Sequence, residues 1–146
     1  MQGTVIAINR SEKKGDQKKP IDEGVFIEDF GLENDAHAGK WHRQVSLLGQ
    51  ESIDKMNAVG VMGLCAGNFA ENITTQGIVL YELPVGTKMR IGETLHEVTQ
   101  IGKKCHGSDC AVMQQIGDCI MPREGIFTKV LVGGTVRAGD VITIDA

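Results

Sequence analysis

The sequence predicts a mostly β protein, a small closed or partly open β-barrel with one to three short helices. Glycine is abundant, at 19 of 146 residues, whereas aromatic residues make up only 4%, and this composition is typical of loop-rich β architectures. Short apolar runs alternate with polar or glycine-rich stretches, and an alternating α/β sheet would need several longer helical segments. The length favours one domain spanning residues 1–146.

The first half of the chain contains three strand-like segments and one helical segment. The strand predictions are "GTVIAINR" (3–10), "VFIEDF" (25–30) and "QVSLL" (44–48), each an apolar run bounded by polar or turn-forming residues. The helix prediction is "QESIDKMNAVG" (50–60), because Ile53, Met56 and Val59 recur at three-residue spacing before a closing glycine. The polar stretch between the first two strands, "SEKKGDQKKP", predicts a solvated loop.

The second half contains two similar segments, "GTKMRIGETL" (86–95) and "GTVRAGDVI" (134–142). In both, a glycine–acid turn separates two apolar stretches, so each segment predicts a β-hairpin. The intervening "IFTKVLVGG" (126–134) predicts a strand covered on both faces, because its apolar residues do not alternate cleanly.

Charge and hydropathy exclude two classes of function. The net charge of −4 argues against a general nucleic-acid binder, which needs a basic face to displace counterions. No apolar run approaches the ~20 residues that span a bilayer, and the N-terminus lacks the apolar core of a signal peptide. A cytoplasmic location is therefore expected, where the four cysteines would be reduced, metal-bound or catalytic.

The stretch "QIGKKCHGSDC" (100–110) is the main candidate for chemistry. Lys103, Lys104 and His106 supply positive charge that favours the thiolate of Cys105, which could act as a nucleophile or as a metal ligand. Simple packing of Cys105 at a strand end is the structural alternative. A structural zinc held by Cys105, His106, Cys110 and Cys119 is a further alternative, although the spacing lacks the paired cysteines of common zinc sites.

Three other polar segments could contribute to a binding site. In "GLENDAHAGKWHRQVS", His37 and Arg43 could receive an anion, unless this is a solvated loop with an ion pair. In "AGNFAENITTQG", Asn68, Glu71 and Asn72 could bind a ligand or brace the backbone. In "CIMPREGIF", Arg123 lies on a proline–glycine turn and is either an anion contact or an ordinary exposed arginine.

These motifs together closely resemble the MOSC family, named for the C-terminal domain of molybdenum-cofactor sulfurases. The resemblance rests on "DAHAGKWHRQVSLL", "GNFAENITTQGI", "LPVGTKMRIGE", "TQIGKKCH" and "MPREGIFTKVLVGGTVRAGD", in this order, and covers roughly Gly3 to Asp145. The match is to the short, stand-alone bacterial members of the family. It implies a β-barrel with a pocket for a molybdopterin-type molybdenum cofactor.

The resemblance also implies one functional cysteine, which carries sulfur as a persulfide or ligates molybdenum. That cysteine maps to Cys105, with Cys110 as the alternative. The cofactor-binding residues implied around it are His37, Arg43, Asn68, Glu71, Asn72, Lys103, Lys104 and Arg123.

The expected partners follow from this assignment. A cysteine desulfurase-like protein would donate sulfur and a molybdoenzyme would accept it, because the sequence shows no recognisable pyridoxal phosphate site. The alternatives are a cofactor carrier without sulfur transfer and a small molybdenum-dependent reductase of N-hydroxylated compounds. No nucleic-acid or membrane partner is expected, and no sequence feature assigns an oligomeric state.

Overall fold

The computed structural model describes residues 2–11, 19–36, 38–58, 71–101 and 125–144. These residues form strands, one α-helix and one short 3-10 turn. The strands are β1 (Gln2–Arg10), β2 (Lys19–Ile21), β3 (Glu23–Ile27), β4 (Gly31–Leu32), β5 (Val45–Gly49), β6 (Ile73–Gln76), β7 (Lys88–Ile91), β8 (Thr94–Ile101), β9 (Ile126–Val132), β10 (Gly134–Arg137) and β11 (Val141–Ile144). Helix α1 spans Gln50–Ala58, and the 3-10 turn spans Leu80–Glu82.

Seven strands close into a barrel in the order β1, β11, β7, β8, β9, β5, β6 and back to β1. Closure is made by β1, which pairs with β11 near its start and with β6 along its length. Strands β5 and β6 are parallel and the other barrel pairs are antiparallel. The predicted barrel with few helices is therefore confirmed, and its closure leaves no unpaired sheet edge around the ring.

The two predicted hairpins have different outcomes. The first is confirmed, because β7 and β8 pair as antiparallel neighbours across a turn at Gly92, whose φ of 54° suits glycine. The second is wrong, because β10 pairs with β3 in a separate three-stranded sheet while β11 enters the barrel between β1 and β7. The turn between them is bound by β1, whose Val5 exchanges backbone hydrogen bonds with Gly139 and Asp140.

The barrel is filled mainly by aliphatic side chains, and buried positions alternate with less buried ones along β7, β8 and β11. Strand β5 departs from this alternation, because every one of its residues is buried. Val45 and Leu47 belong to the barrel core, while α1 packs against β5 and β6 and buries Ile53. The predicted strand and helix are thus both present, and the helix explains why both faces of β5 are covered.

In the described part of the chain, every helix is too short or too polar to cross a bilayer.

Candidate functional site

Arg43, in the loop that leads into β5, is held in one position by three neighbours. Its Nε donates a hydrogen bond to Gln100 Oε1 at 3.1 Å. Its guanidinium carbon lies 5.3 Å from the ring centroid of Phe127 and 5.9 Å from that of Trp41, within the range of cation–π attraction. The half-buried side chain therefore has one N–H group committed and its cationic end oriented by two aromatic rings.

His42 contacts the same amide oxygen, with Nε2 at 2.9 Å from Gln100 Oε1. Because Arg43 Nε can only donate, the group facing both side chains is the amide oxygen, and His42 Nε2 therefore carries a proton. The hydroxyl of Thr99 contacts the carbonyl oxygens of His42 and Phe127. These contacts attach the loop before β5 to the last residues of β8 and the start of β9.

The charge of Arg43 is not neutralised within the described residues. The ion pairs formed there join Lys129 to Glu97 and Arg137 to Glu23, and no described carboxylate lies within ion-pair distance of Arg43. Its terminal amino groups make no hydrogen bond to a described residue. A guanidinium in this state presents a planar pair of donors to an anion such as phosphate.

Glu71 and Asn72 lie in a buried polar cluster beside β6. Asn72 Oδ1 accepts hydrogen bonds from the backbone N–H and the hydroxyl of Ser46, at 3.0 and 3.2 Å, and Nδ2 donates to Asn9 O at 3.3 Å. Glu71 Oε2 accepts from Thr74 Oγ1 at 2.8 Å. The cluster joins β1, β5 and β6, as the bracing alternative expects, and cofactor contact by these two residues stays a prediction.

The cluster leaves one acceptor open. Asn9 is fully buried, its Nδ2 donates to Thr74 Oγ1 at 3.0 Å, and its Oδ1 has no hydrogen-bond partner among the described residues. An unpaired buried carbonyl costs free energy unless water or a ligand supplies a donor.

The remaining predicted site residues lie outside the described residues. They are His37, Asn68, Lys103, Lys104, Cys105, Cys110 and Arg123, together with the zinc candidates His106 and Cys119. Within the described ranges, no three His, Cys, Asp or Glu side chains form a possible metal site. Lys103, Lys104 and Cys105 follow Gln100 within five positions of the sequence, so Arg43 is anchored to the strand end from which that segment continues.

A separate cavity of about 340 Å³ opens where α1 begins, and Glu51 Oε2 accepts a hydrogen bond from Gly77 N there at 2.7 Å. Its described lining residues are Gly49, Glu51, Ser52, Gly77, Ile78, Val79, Leu80 and Tyr81. None of the predicted site residues that the structure describes is among them.

The sequence indicates Arg43 as a candidate anion-binding residue but not the residues that position it. Gln100, Trp41 and Phe127 were not selected, because two of them are distant in sequence and none has a motif of its own. The available signals were weak: a tryptophan in a polar loop, and an amide side chain at the end of a strand just before two lysines.

Three solved structures share this fold. The YuaD protein from Bacillus subtilis is 18% identical with a TM-score of 0.78, over 97% of this chain and 94% of that one. YiiM from Geobacillus stearothermophilus is 19% identical with a TM-score of 0.76, over 99% and 75%. YiiM from Escherichia coli is 21% identical with a TM-score of 0.70, over 100% and 70%. At these identities, the likeness shows the fold alone.

Comparison with curated protein sequences gives no match. A family model described as "MOSC domain" matches residues 34–143, which is most of the chain and includes both Arg43 and the cysteine segment. This chain therefore belongs to the MOSC domain family, which is associated with molybdenum cofactor binding.

Proposed function

We propose that this chain binds a molybdopterin-type molybdenum cofactor beside Arg43 and that Cys105 carries sulfur next to it. One observation carries the proposal. In this member of the MOSC family, Arg43 has no carboxylate partner among the described residues and is hydrogen-bonded to Gln100, near the end of the strand that precedes Cys105.

The donor set fits the phosphate of such a cofactor. Gln100 holds Nε of Arg43, so the terminal amino groups remain to donate to phosphate oxygens in a planar fork. Lys103 and Lys104 add positive charge from nearby in the sequence. His37, Asn68 and Arg123 are proposed as further contacts, and Glu71 and Asn72 support the strands behind them. When bound, the cofactor supplies a metal with affinity for sulfur ligands.

Cys105 is proposed as the group that receives sulfur. Its thiolate, favoured by Lys103, Lys104 and His106, attacks the outer sulfur of a persulfide on a donor protein. A sulfur–sulfur bond forms at Cys105, the bond in the donor persulfide breaks, and the donor leaves as a thiolate. The donor is a cysteine desulfurase-like protein and the final acceptor a molybdoenzyme.

Cofactor retention tests the binding proposal. Purified protein is incubated with molybdenum cofactor released from a molybdoenzyme, and the fraction retained after ultrafiltration is measured from the fluorescence of the oxidised pterin. Because a hydrogen bond to a charged group contributes about 1.5–3 kcal/mol, Arg43→Gln should weaken retention about 10- to 100-fold.

Arg137→Gln is the matched control, because Arg137 is exposed and pairs with Glu23 on the small sheet, apart from the contacts of Arg43. It should retain cofactor like wild type. Equal retention by the Arg43→Gln and wild-type proteins, or no retention by wild type, would count against the proposed site.

Mass spectrometry of protein purified without reductant tests sulfur carriage. The proposal expects an added mass of about one sulfur atom on the Cys105 peptide, absent in Cys105→Ser and retained in Cys110→Ser. The reverse pattern assigns the role to Cys110. Free thiols after incubation with a persulfide donor, together with normal cofactor retention, would favour a carrier that transfers no sulfur.

A further inference from the structure

Trp41 is the only tryptophan in the chain, and 41% of its surface is exposed. It lies in the loop before β5, where its ring and the His42 ring form an edge-to-face contact with a centroid distance of 5.8 Å and an interplanar angle of 71°. An indole placed in the core would be largely covered, because burying its apolar surface is favourable. This indole instead offers a substantial aromatic surface to solvent.

The exposed indole is next to a fixed cation. The guanidinium carbon of Arg43 lies 5.9 Å from the Trp41 centroid, and Gln100 and Phe127 hold Arg43 from other directions. Aromatic surfaces bind planar nitrogen heterocycles by stacking, and guanidinium groups bind phosphate. Because the Arg43 guanidinium and the Trp41 indole are only 5.9 Å apart, one small phosphorylated heterocycle can contact both.

We infer that Trp41 stacks against the heterocyclic ring of a phosphorylated ligand whose phosphate binds Arg43. The inference rests on the proposed function and deepens it, since it assigns the ring of the ligand to a residue outside the set predicted from the sequence. The shared chemistry is a planar nitrogen heterocycle bearing phosphate, which either a pterin or a purine nucleotide supplies. A polynucleotide is a poor fit, because the net charge of −4 opposes a phosphate backbone.

The single tryptophan makes the test direct, because all indole fluorescence comes from Trp41. Wild-type protein is titrated separately with a phosphorylated pterin, guanosine monophosphate and inorganic phosphate, with free tryptophan amide as the correction for absorbed light. Stacking should quench the indole emission with the heterocycles and not with inorganic phosphate. Quenching by the pterin alone identifies a pterin site, whereas equal quenching by both heterocycles identifies a general one, and either supports the inference.

Cofactor retention by two variants provides a second readout. Trp41→Leu should weaken retention about tenfold through lost stacking. Tyr81→Leu removes an aromatic ring from the separate cavity where α1 begins and should leave retention unchanged. Thermal melting checks that both variants are folded.

The outcomes separate this inference from the proposed function. Normal cofactor retention by both Trp41→Leu and wild type, without quenching by either heterocycle, would overturn the role of Trp41 and leave the cofactor site intact. Quenching by the pterin without cofactor retention would support the stacking site and overturn the proposed function. Quenching by inorganic phosphate equal to that by the pterin would overturn stacking, because anion binding at Arg43 alone would then explain it.

Discussion

Acidification should destabilise this protein through His96, a fully buried histidine on β8. Its Nε2 lies 2.8 Å from Thr94 Oγ1, its Nδ1 lies 3.0 Å from Thr128 Oγ1, and its ring meets Phe26 edge to face at 5.5 Å. Burial lowers the pKa of His96 from 6.5 to about 3, because the charged form would lose its hydration. The folded protein therefore keeps this ring neutral at pH values where the unfolded chain binds a proton.

The direction and the magnitude of the change in the free energy of unfolding follow from this difference in proton binding. Below pH 6.5 the unfolded state gains a proton that the folded state excludes, so stability is lost progressively as the pH falls towards 3. One unit of pKa difference corresponds to about 1.4 kcal/mol, so His96 alone should remove about 2 kcal/mol from the free energy of unfolding between pH 7 and pH 5.

The assay is urea unfolding of wild type and His96→Gln at both pH values. Glutamine cannot titrate and still offers hydrogen bonds to the two threonine hydroxyls, and comparing the two proteins cancels the contribution of the carboxylates. The stability of wild type relative to the variant should fall by about 2 kcal/mol. A pH-independent difference would refute the reasoning. If the variant does not fold, NMR titration of the His96 imidazole in the folded wild-type protein is the alternative test. A ring that is protonated by pH 5 in the folded protein would refute the reasoning equally.

Two further predictions concern the polar contacts. Asn72→Ala leaves the N–H of Ser46 and the carbonyl of Asn9 without their side-chain partner in a buried site. The free energy of unfolding, measured by urea titration, should therefore fall by about 3 kcal/mol. A loss below about 1 kcal/mol would argue against a bracing role for Asn72. Gln100→Glu places a carboxylate against Arg43 that competes with phosphate, so cofactor retention should weaken about tenfold, and unchanged or tighter retention would contradict the role given to Arg43.

Local sequence patterns were sufficient for several elements of this fold. The β7–β8 hairpin, the strands β1, β5 and β9 and helix α1 are encoded by apolar spacing and by turn residues such as Gly92. The second predicted hairpin failed because the pairing of β10 and β11 depends on strands far away in the chain, β3 and β1. A glycine–acid turn specifies a reversal of direction but does not specify which strand becomes the neighbour.

The candidate site shows the same limit. The sequence indicates Arg43 because arginine in a polar loop can bind anions, but its partner Gln100 lies 57 positions away. Asn72 was predicted either to brace or to bind, and its contacts with Ser46 and Asn9 connect strands that sequence spacing does not align. The type of residue therefore indicates which contacts a side chain can make. Which partners it has depends on the strands that the closed sheet brings together.

The ring of strands has a consequence for how this protein reaches its folded state. The pairing that completes it joins Gln2, Gly3 and Thr4 of β1 to Thr143, Ile142 and Val141 of β11. In a chain emerging from the ribosome, the side of Gln2, Gly3 and Thr4 that faces β11 therefore lacks its partner strand until β11 has been synthesised, although β6 can pair with the rest of β1 earlier. Folding should be late and cooperative, with a rate limited by this long-range search, and the first strand is the place where a chaperone or an aggregating neighbour would compete.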